Sequence, residues 1–358
     1  MIKRTIIIAL AALALASCAS NGDYEANGRW TALKACEWGE KTGWRSGCDY
    51  IPATAINQIE MWQELTFDPE TIDKELGWAE ELGFTTMRVY LSSVVWNAEK
   101  DSFKDRIDQF LDITSSHNIK PVFVFFDDCW NPHSAIGVQP EPKPGVHNSG
   151  WVRDPSDDLR KDTLALYPEL EKYVKDILGA FGKDERVLWW DLYNEPGNND
   201  YDESSLPLVK NVFKWAHEAR PSQPVSVGIW YSKCPEMNKY QLENSDIISY
   251  HNYNNLENHQ KQIDSLKTYG RPIVCTEYMA RTSNKNSTFQ TILPMLKANN
   301  ISAINWGFVS GKTNTIFAWS DPRPDGKEPE VWFHDIYRQD KTPFDEAEIA
   351  VIKEVNGK

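Results

Sequence analysis

Val187-Leu188-Trp189-Trp190-Asp191-Leu192-Tyr193-Asn194-Glu195-Pro196 is the stretch on which the reading of this chain turns. Its short, aromatic-rich apolar run has the length and composition of a strand buried on both faces. Pro196 has no N–H to give to a sheet ladder, so pairing stops there and Glu195 is delivered to the carboxyl edge of the sheet. In parallel α/β folds that edge is where catalytic side chains gather. A second run, Pro272-Ile273-Val274-Cys275-Thr276-Glu277-Tyr278, presents Glu277 in the same way.

Working outward, helix and strand periods alternate. Asp68-Pro69-Glu70 reads as N-cap, first-turn proline and dipole-favoured acid, followed by Ile72, Leu76, Ala79 and Leu82 at helical spacing and by Gly83 as the stop. Thr85–Leu91 and Pro121–Phe126 read as strands, with a helix through Ile107, Phe110, Leu111 and Thr114 between them. Leu170, Tyr173, Val174, Ile177 and Phe181 mark the helix that leads into the Asn194-Glu195 strand. Val225–Trp230, Ile247–Tyr250, Ile273–Thr276 and Ala303–Trp306 are further strands, and a last helix is expected from about Phe344 to Val355. That gives seven clear strands; an eighth, ambiguous one is placed near Ser46–Ile51. Eight βα units in one chain predict an α/β fold, a closed (β/α)8 barrel of a single domain with long βα loops, over residues 30–358. An open doubly wound sheet is the competing architecture, but no GxGxxG follows any strand.

The first residues read as an address rather than as fold. Lys3 and Arg4 precede an apolar stretch, Ile6 to Ala16, too short to span a bilayer. Leu15-Ala16-Ser17-Cys18 resembles the bacterial lipoprotein signal, which implies a signal peptide over 1–17, lipidation of Cys18 and export to the outer membrane. The small polar residues 18–29 are then expected to be a tether. The net charge of −14 argues against a nucleic-acid partner, which requires a basic surface. Five cysteines follow Cys18, an odd count; Cys36 and Cys48 are the candidates for a pair in an exported compartment. No CxxC or His-x-x-x-His spacing suggests a metal site, and no cofactor signature is present. Fifteen Trp and fourteen Tyr supply flat faces that suit sugar rings, although most such residues in any protein are core.

Two acids on one rim fit the hydrolysis of a glycosidic bond, where one protonates the leaving oxygen and the other meets the positive charge developing at the anomeric carbon. Asn194-Glu195-Pro196 on a fourth strand and Glu277 on a seventh resemble the catalytic pair of the clan A glycoside hydrolases, nearest to family five, the cellulase and mannanase type. The resemblance implies retention of anomeric configuration and a carbohydrate substrate. It implies that Asn194 binds the sugar 2-hydroxyl and that Arg88 bonds Glu277 and keeps it ionised. It further implies that Tyr253 orients Glu277, that His251 lines the acid's side, and that Trp306 floors the sugar site. One departure stands out: where many members carry a histidine near the end of strand three, this chain reads Phe126-Asp127-Asp128-Cys129-Trp130. Asp128 and Trp130 are therefore expected to contact sugar.

The segment from Asp127 to about Thr163 is too long for a routine connection, and its Trp130, His133, Gln139, His147, Asn148 and Trp151 suggest a polar and aromatic wall. Lys312, Thr313, Asn314 and Trp319 after strand eight, Asn57 to Trp62 near the start, and Trp230-Tyr231 after strand five are candidates for the other sides. Two other functions compete: a non-catalytic glycan-binding lipoprotein, and a metal-dependent hydrolase using Asp127, Asp128 and a nearby histidine. Taken singly, Glu195 also reads as a helix N-terminal acid and Glu277 as half of a structural ion pair.

Overall fold

A computed structural model describes residues 22–282 and 286–358. Eight parallel strands lie in chain order: β1 (Ser46–Asp49), β2 (Thr86–Tyr90), β3 (Lys120–Val124), β4 (Trp189–Asp191), β5 (Val225–Ser226), β6 (Ile248–His251), β7 (Ile273–Glu277) and β8 (Ser302–Trp306). The sheet order β5-β4-β3-β2-β1-β8-β7-β6 leaves one seam, between β5 and β6. There Ile229 bridges Tyr250, its N–H donating to Ser249 O at 3.1 Å while its carbonyl accepts from His251 N at 2.9 Å. The fold is a nearly closed (β/α)8 barrel.

The expected first strand is present at Ser46–Asp49. Its sequence, SGCD, hides it, because neither face is a run of large apolar residues. Gly47 is required by proximity: a Cβ there would lie 1.7 Å from Thr86 O. The helix Pro69–Glu81 begins as its sequence dictates, with Asp68 Oδ1 accepting from Thr71 N at 3.0 Å. The last helix runs Glu346–Asn356, and β4 and β5 are shorter than their apolar runs.

Alternation along β4 sorts the two tryptophans. Trp190 faces outward and packs on Phe123 and Phe125 (ring centroids 5.7 and 5.6 Å apart) in the large core between sheet and helices. Trp189 faces inward and joins Val122, Ile247, Val274 and Ile304 in a small plug, sealed by the edge of Trp38 from the helix Ala32–Thr42. Each buried aliphatic chain in this plug contributes roughly 1.5–3 kcal/mol. Two residues along, Asp191 also points inward, but into an ionic layer. The barrel interior is thus oily at its amino end and charged at its carboxyl end.

Two expectations are corrected. The described part of the 18–29 segment is not a free tether: Thr31 N donates to Asp23 O at 3.0 Å, Arg29 Nε to Ser245 O at 2.6 Å, and Trp30 N to Asp246 Oδ1 at 2.6 Å. It docks on the loops entering β6 and β7, where Glu25 also pairs with Arg271. Cys36 and Cys48 do not pair: Cys48 is buried in β1, its Sγ 3.3 Å from Met87 Sδ, whereas the Cys36 Sγ lies 3.6 Å from Gly270 O. No described helix is long and apolar enough to cross a membrane. The signal segment 1–17 and Cys18 lie outside the described residues.

Candidate active site

The ionic layer is organised by Arg88 on β2, which is fully buried. Its Nε donates to Asp191 Oδ2 at 2.9 Å and its Nη2 to Asn194 Oδ1 at 2.8 Å. Its Nη1 reaches Asp49 Oδ1 at 2.7 Å, the Tyr90 hydroxyl at 2.8 Å and Glu277 Oε1 at 3.0 Å. One fixed guanidinium fork therefore ties β1, β2, β4 and β7 together and orients both the amide of Asn194 and the carboxyl of Glu277. Three carboxylates face one cation. Burial accordingly raises the affinity of Asp49, Asp191 and Glu277 for protons, with Arg88 opposing it.

Glu277 ends β7 and is 6% exposed. Tyr253 donates to its Oε2 at 2.7 Å, and the Tyr90 hydroxyl lies 3.4 Å from Oε1. Glu195 follows β4 in a left-handed turn (φ 41°), a conformation that costs energy for a side chain with a Cβ and aims the carboxyl into the barrel mouth. Asn198 Nδ2 donates to Glu195 Oε2 at 2.7 Å, and the Cys129 thiol lies 3.4 Å from the same oxygen. Burial raises Glu195, and among the described residues no lysine or arginine pairs with its carboxyl. His251 Nδ1 lies 2.8 Å from Glu195 Oε1 and 3.4 Å from Glu277 Oε2. Burial pushes His251 down to about 4, so near neutral pH it is an uncharged bridge between the acids. An oxygen of each glutamate and the ring nitrogen all lie within 4.8 Å of one another.

These groups open into a cavity of about 350 Å³. Trp151 and Trp306, ring centroids 5.6 Å apart, form one wall over Tyr90, and Trp130 packs on His147 at 5.3 Å to extend it. Trp230, stacked on Tyr231 at 4.9 Å, stands at the mouth beside Asn199. Of the sequence-derived candidates, Arg88, Asn194, Glu195, His251, Tyr253 and Glu277 converge on one network, and Trp130, His147, Trp151 and Trp306 line the cavity.

Asp128 requires correction: it does not line the cavity. Its oxygens accept from Tyr193 Oη at 2.7 Å, Gly197 N at 2.8 Å and Ser205 Oγ at 2.5 Å, and it pairs with Arg160. It clamps the loop that carries Glu195. The neighbour, Asp127, lines the cavity instead, accepting from Asn194 Nδ2 at 2.9 Å and Trp151 Nε1 at 2.7 Å. Adjacent residues leaving a strand point to opposite sides, and sequence alone does not say which points in. Asn57, Gln58 and Glu60 also do not line it. They brace the loops from behind, through Gly150 O, Val152 O and Lys312. His133 is paired with Asp158 outside the cavity. Sequence reading missed Tyr90, Asp49 and Asp191; their signal is the inward register of Arg88, with Tyr90 two residues on and Asp49 its partner across the ladder.

Comparison with known proteins agrees with this geometry. Residues 76–311 match the family description Cellulase (glycosyl hydrolase family 5). No curated protein matches the sequence. Among solved structures, the chain is similar to the endo-beta-1,4-mannanase of Thermotoga petrophila (TM-score 0.57, 16% identity, 89% of this chain and 77% of that one). It is also similar to a GH5_18 protein of Streptomyces cattleya in complex with Manb1-4GlcNAc (0.63, 13%, 87% and 80%). A third is the exo-beta-1,4-mannosidase of an Opitutaceae bacterium, strain TAV5 (0.61, 13%, 93% and 62%). At such identities the structural likeness speaks for the barrel alone. The family match spans about two thirds of the sequence and includes the strands that carry both glutamates; the chain belongs to glycosyl hydrolase family 5.

Proposed function

We propose that this glycoside hydrolase cleaves β-linked glycans with retention, using Glu195 as acid/base and Glu277 as nucleophile. The observation that carries the reading is the meeting of the two carboxyls across the barrel mouth, with oxygens within 4.8 Å, in unequal surroundings. Retaining enzymes hold their carboxyls about 5–5.5 Å apart, whereas inverting enzymes leave about 6.5–9.5 Å for a water. Glu277 is bonded by Arg88 and Tyr253, which favour its ionised form. Glu195 is mostly enclosed, its side chain 14% exposed, and among the described residues no lysine or arginine pairs with its carboxyl, which favours its protonated form.

In the first step the Glu195 proton passes to the glycosidic oxygen as that bond breaks. A Glu277 oxygen bonds the anomeric carbon, giving a glycosyl ester. In the second step water attacks the same carbon, its proton goes to Glu195, and the Glu277 carboxylate is released. Asn194, held by Arg88 and Asp127, is aimed at the sugar hydroxyl beside the reacting carbon.

Glu277→Gln is expected to cut turnover of aryl β-glycosides by roughly 10³-fold or more with an unchanged melting profile. A 2-deoxy-2-fluoro glycoside of the accepted sugar is expected to label Glu277. Near wild-type turnover by that variant would overturn the assignment. Mannose- and glucose-containing β-glycosides head the panel, because mannan-acting enzymes are among the structural neighbours. Residues 1–18 are further proposed to export the chain and anchor it through acylated Cys18; loss of palmitate incorporation in Cys18→Ser tests this.

A further inference from the structure

The loops after β3 and β8 meet each other across the mouth of the barrel. Asn148 N donates to Thr313 O at 2.7 Å, Arg323 N to Gly145 O at 2.9 Å, and Asn314 Nδ2 to Lys143 O at 2.9 Å. At Gly145 the backbones are so close that a Cβ would sit 1.7 Å from Arg323 O. Between β3 and β8 in the sheet lie β2 and β1, so the joined loops roof the β1–β2 side of the rim. Asn57, Gln58 and Glu60 brace that roof from outside. Over β4 and β5 the described loops are joined lower down and through side chains, with Trp230 Nε1 donating to Pro196 O at 3.1 Å and Met237 N to Glu203 Oε2 at 3.0 Å, and the half-buried Trp230 and exposed Asn199 flank the mouth.

The two glutamates fix the direction of a bound chain. The leaving oxygen must lie at Glu195, on the open β4 side. The sugar attacked by Glu277 must lie on the roofed side, against Trp151 and Trp306. The roofed end also carries unspent polar groups. His147 Nδ1 bonds Phe317 O at 2.8 Å, so its other nitrogen is a bare acceptor. That Nε2 and Asn148 Oδ1 are enclosed with no hydrogen-bond partner among the described residues, while other atoms of both residues line the cavity.

We propose that the enzyme acts from the non-reducing end, seating a terminal sugar unit under the roof and leaving the rest of the chain over Trp230. This rests on the glycosidase reading above and adds its substrate class: free non-reducing termini of β-linked oligosaccharides. The cavity volume agrees, lying at the small end of the roughly 300–1,000 Å³ range of ligand sites. Closed ends favour end-on binding because an internal segment would need to displace backbone hydrogen bonds, not side chains.

The test uses the full chain with β-1,4-mannohexaose and β-1,4-cellohexaose in three forms: native, reduced to the alditol, and capped at the non-reducing end by 4,6-O-ethylidene. In the series that is cleaved, the alditol is expected to react at the native rate, releasing one short product of constant length from the first time point. The capped form is expected to react at least a hundredfold more slowly. Asn148→Ala is expected to raise KM for the native hexaose about tenfold or more, with a smaller change in kcat. Cleavage of the capped hexaose at a comparable rate, or a spread of early products, overturns end action while Glu277 labelling leaves the glycosidase reading standing. No hydrolysis of any form together with no labelling of Glu277 overturns both.

Discussion

Arg88→Met removes the cation at the centre of the ionic layer while keeping most of its volume. In the wild type five hydrogen bonds of 2.7–3.0 Å radiate from this side chain, three of them to carboxylates. Breaking a buried ion pair by deleting one partner costs about 3–5 kcal/mol, and urea unfolding near pH 7 is expected to register a loss of that size. The pH dependence is the sharper test. Burial already raises Asp49, Asp191 and Glu277 above ordinary carboxylates, and without Arg88 they rise further. A carboxyl raised in the folded state is protonated in both states below its unfolded value near 4, and there it costs least. As the pH climbs from that value through the folded one, the unfolded chain sheds protons that the folded chain must hold, and stability falls. The deficit of the variant is therefore smallest near pH 4 and grows toward pH 7.

The same perturbation moves the chemistry. Two unit charges about 4 Å apart interact by about 4 kcal/mol at an effective dielectric of about 20. Losing an attraction of that order moves the acid limb of kcat/KM to higher pH, since on the proposed mechanism Glu277 attacks as its anion. The measurements are urea midpoints at pH 4, 5.5 and 7 and a pH–rate profile with an aryl β-glycoside. A deficit that shrinks as pH rises, or an acid limb that stays put, would refute the reasoning about what Arg88 does.

Three further outcomes are expected. Asp127, raised by burial to about 6, contributes stability that is full below its unfolded value and is lost as the pH climbs through about 6. Asp127→Asn should thus lose less relative to the wild type at pH 7 than at pH 4, while kcat/KM drops about 10–100-fold as Asn194 and Trp151 lose their anchor; parallel chemical denaturation and kinetics check both. Asp128→Ala strands Arg160 and frees Gly197 N, and should cost about 3–5 kcal/mol in unfolding free energy; a loss under about 1 kcal/mol would refute its role as a clamp. Although Glu195, His251 and Glu277 cluster tightly, each has protein partners suited to acid–base work, so EDTA-treated enzyme should turn over at the untreated rate.

The barrel and its two acids were legible in one dimension because both are local signals. Alternating periods name the βα units, and the Asn-Glu-Pro and Thr-Glu-Tyr ends put Glu195 and Glu277 at strand termini whatever surrounds them. The resemblance to a known family added Arg88, Asn194, His251, Tyr253 and Trp306, each of which the folded chain brings to one network or to its wall. What failed depended on direction or on contacts between distant segments. Asp127 and Asp128 are chemically identical neighbours, and only the turn after β3 decides that one enters the cavity and the other clamps a loop. Residues 23–29 are small and polar enough for a tether, yet Ser245 and Arg271 give Arg29 and Glu25 partners more than two hundred positions away. Cys36 and Cys48 lie near in sequence, but one rides a helix at the barrel's foot and the other is sealed in its wall. The roof over β1 and β2 is the extreme case. It is made chiefly by backbone groups of loops some 165 to 178 residues apart, for which no side-chain type is a marker, so composition gives the chemistry of the site while only the tertiary fold decides how its mouth is enclosed.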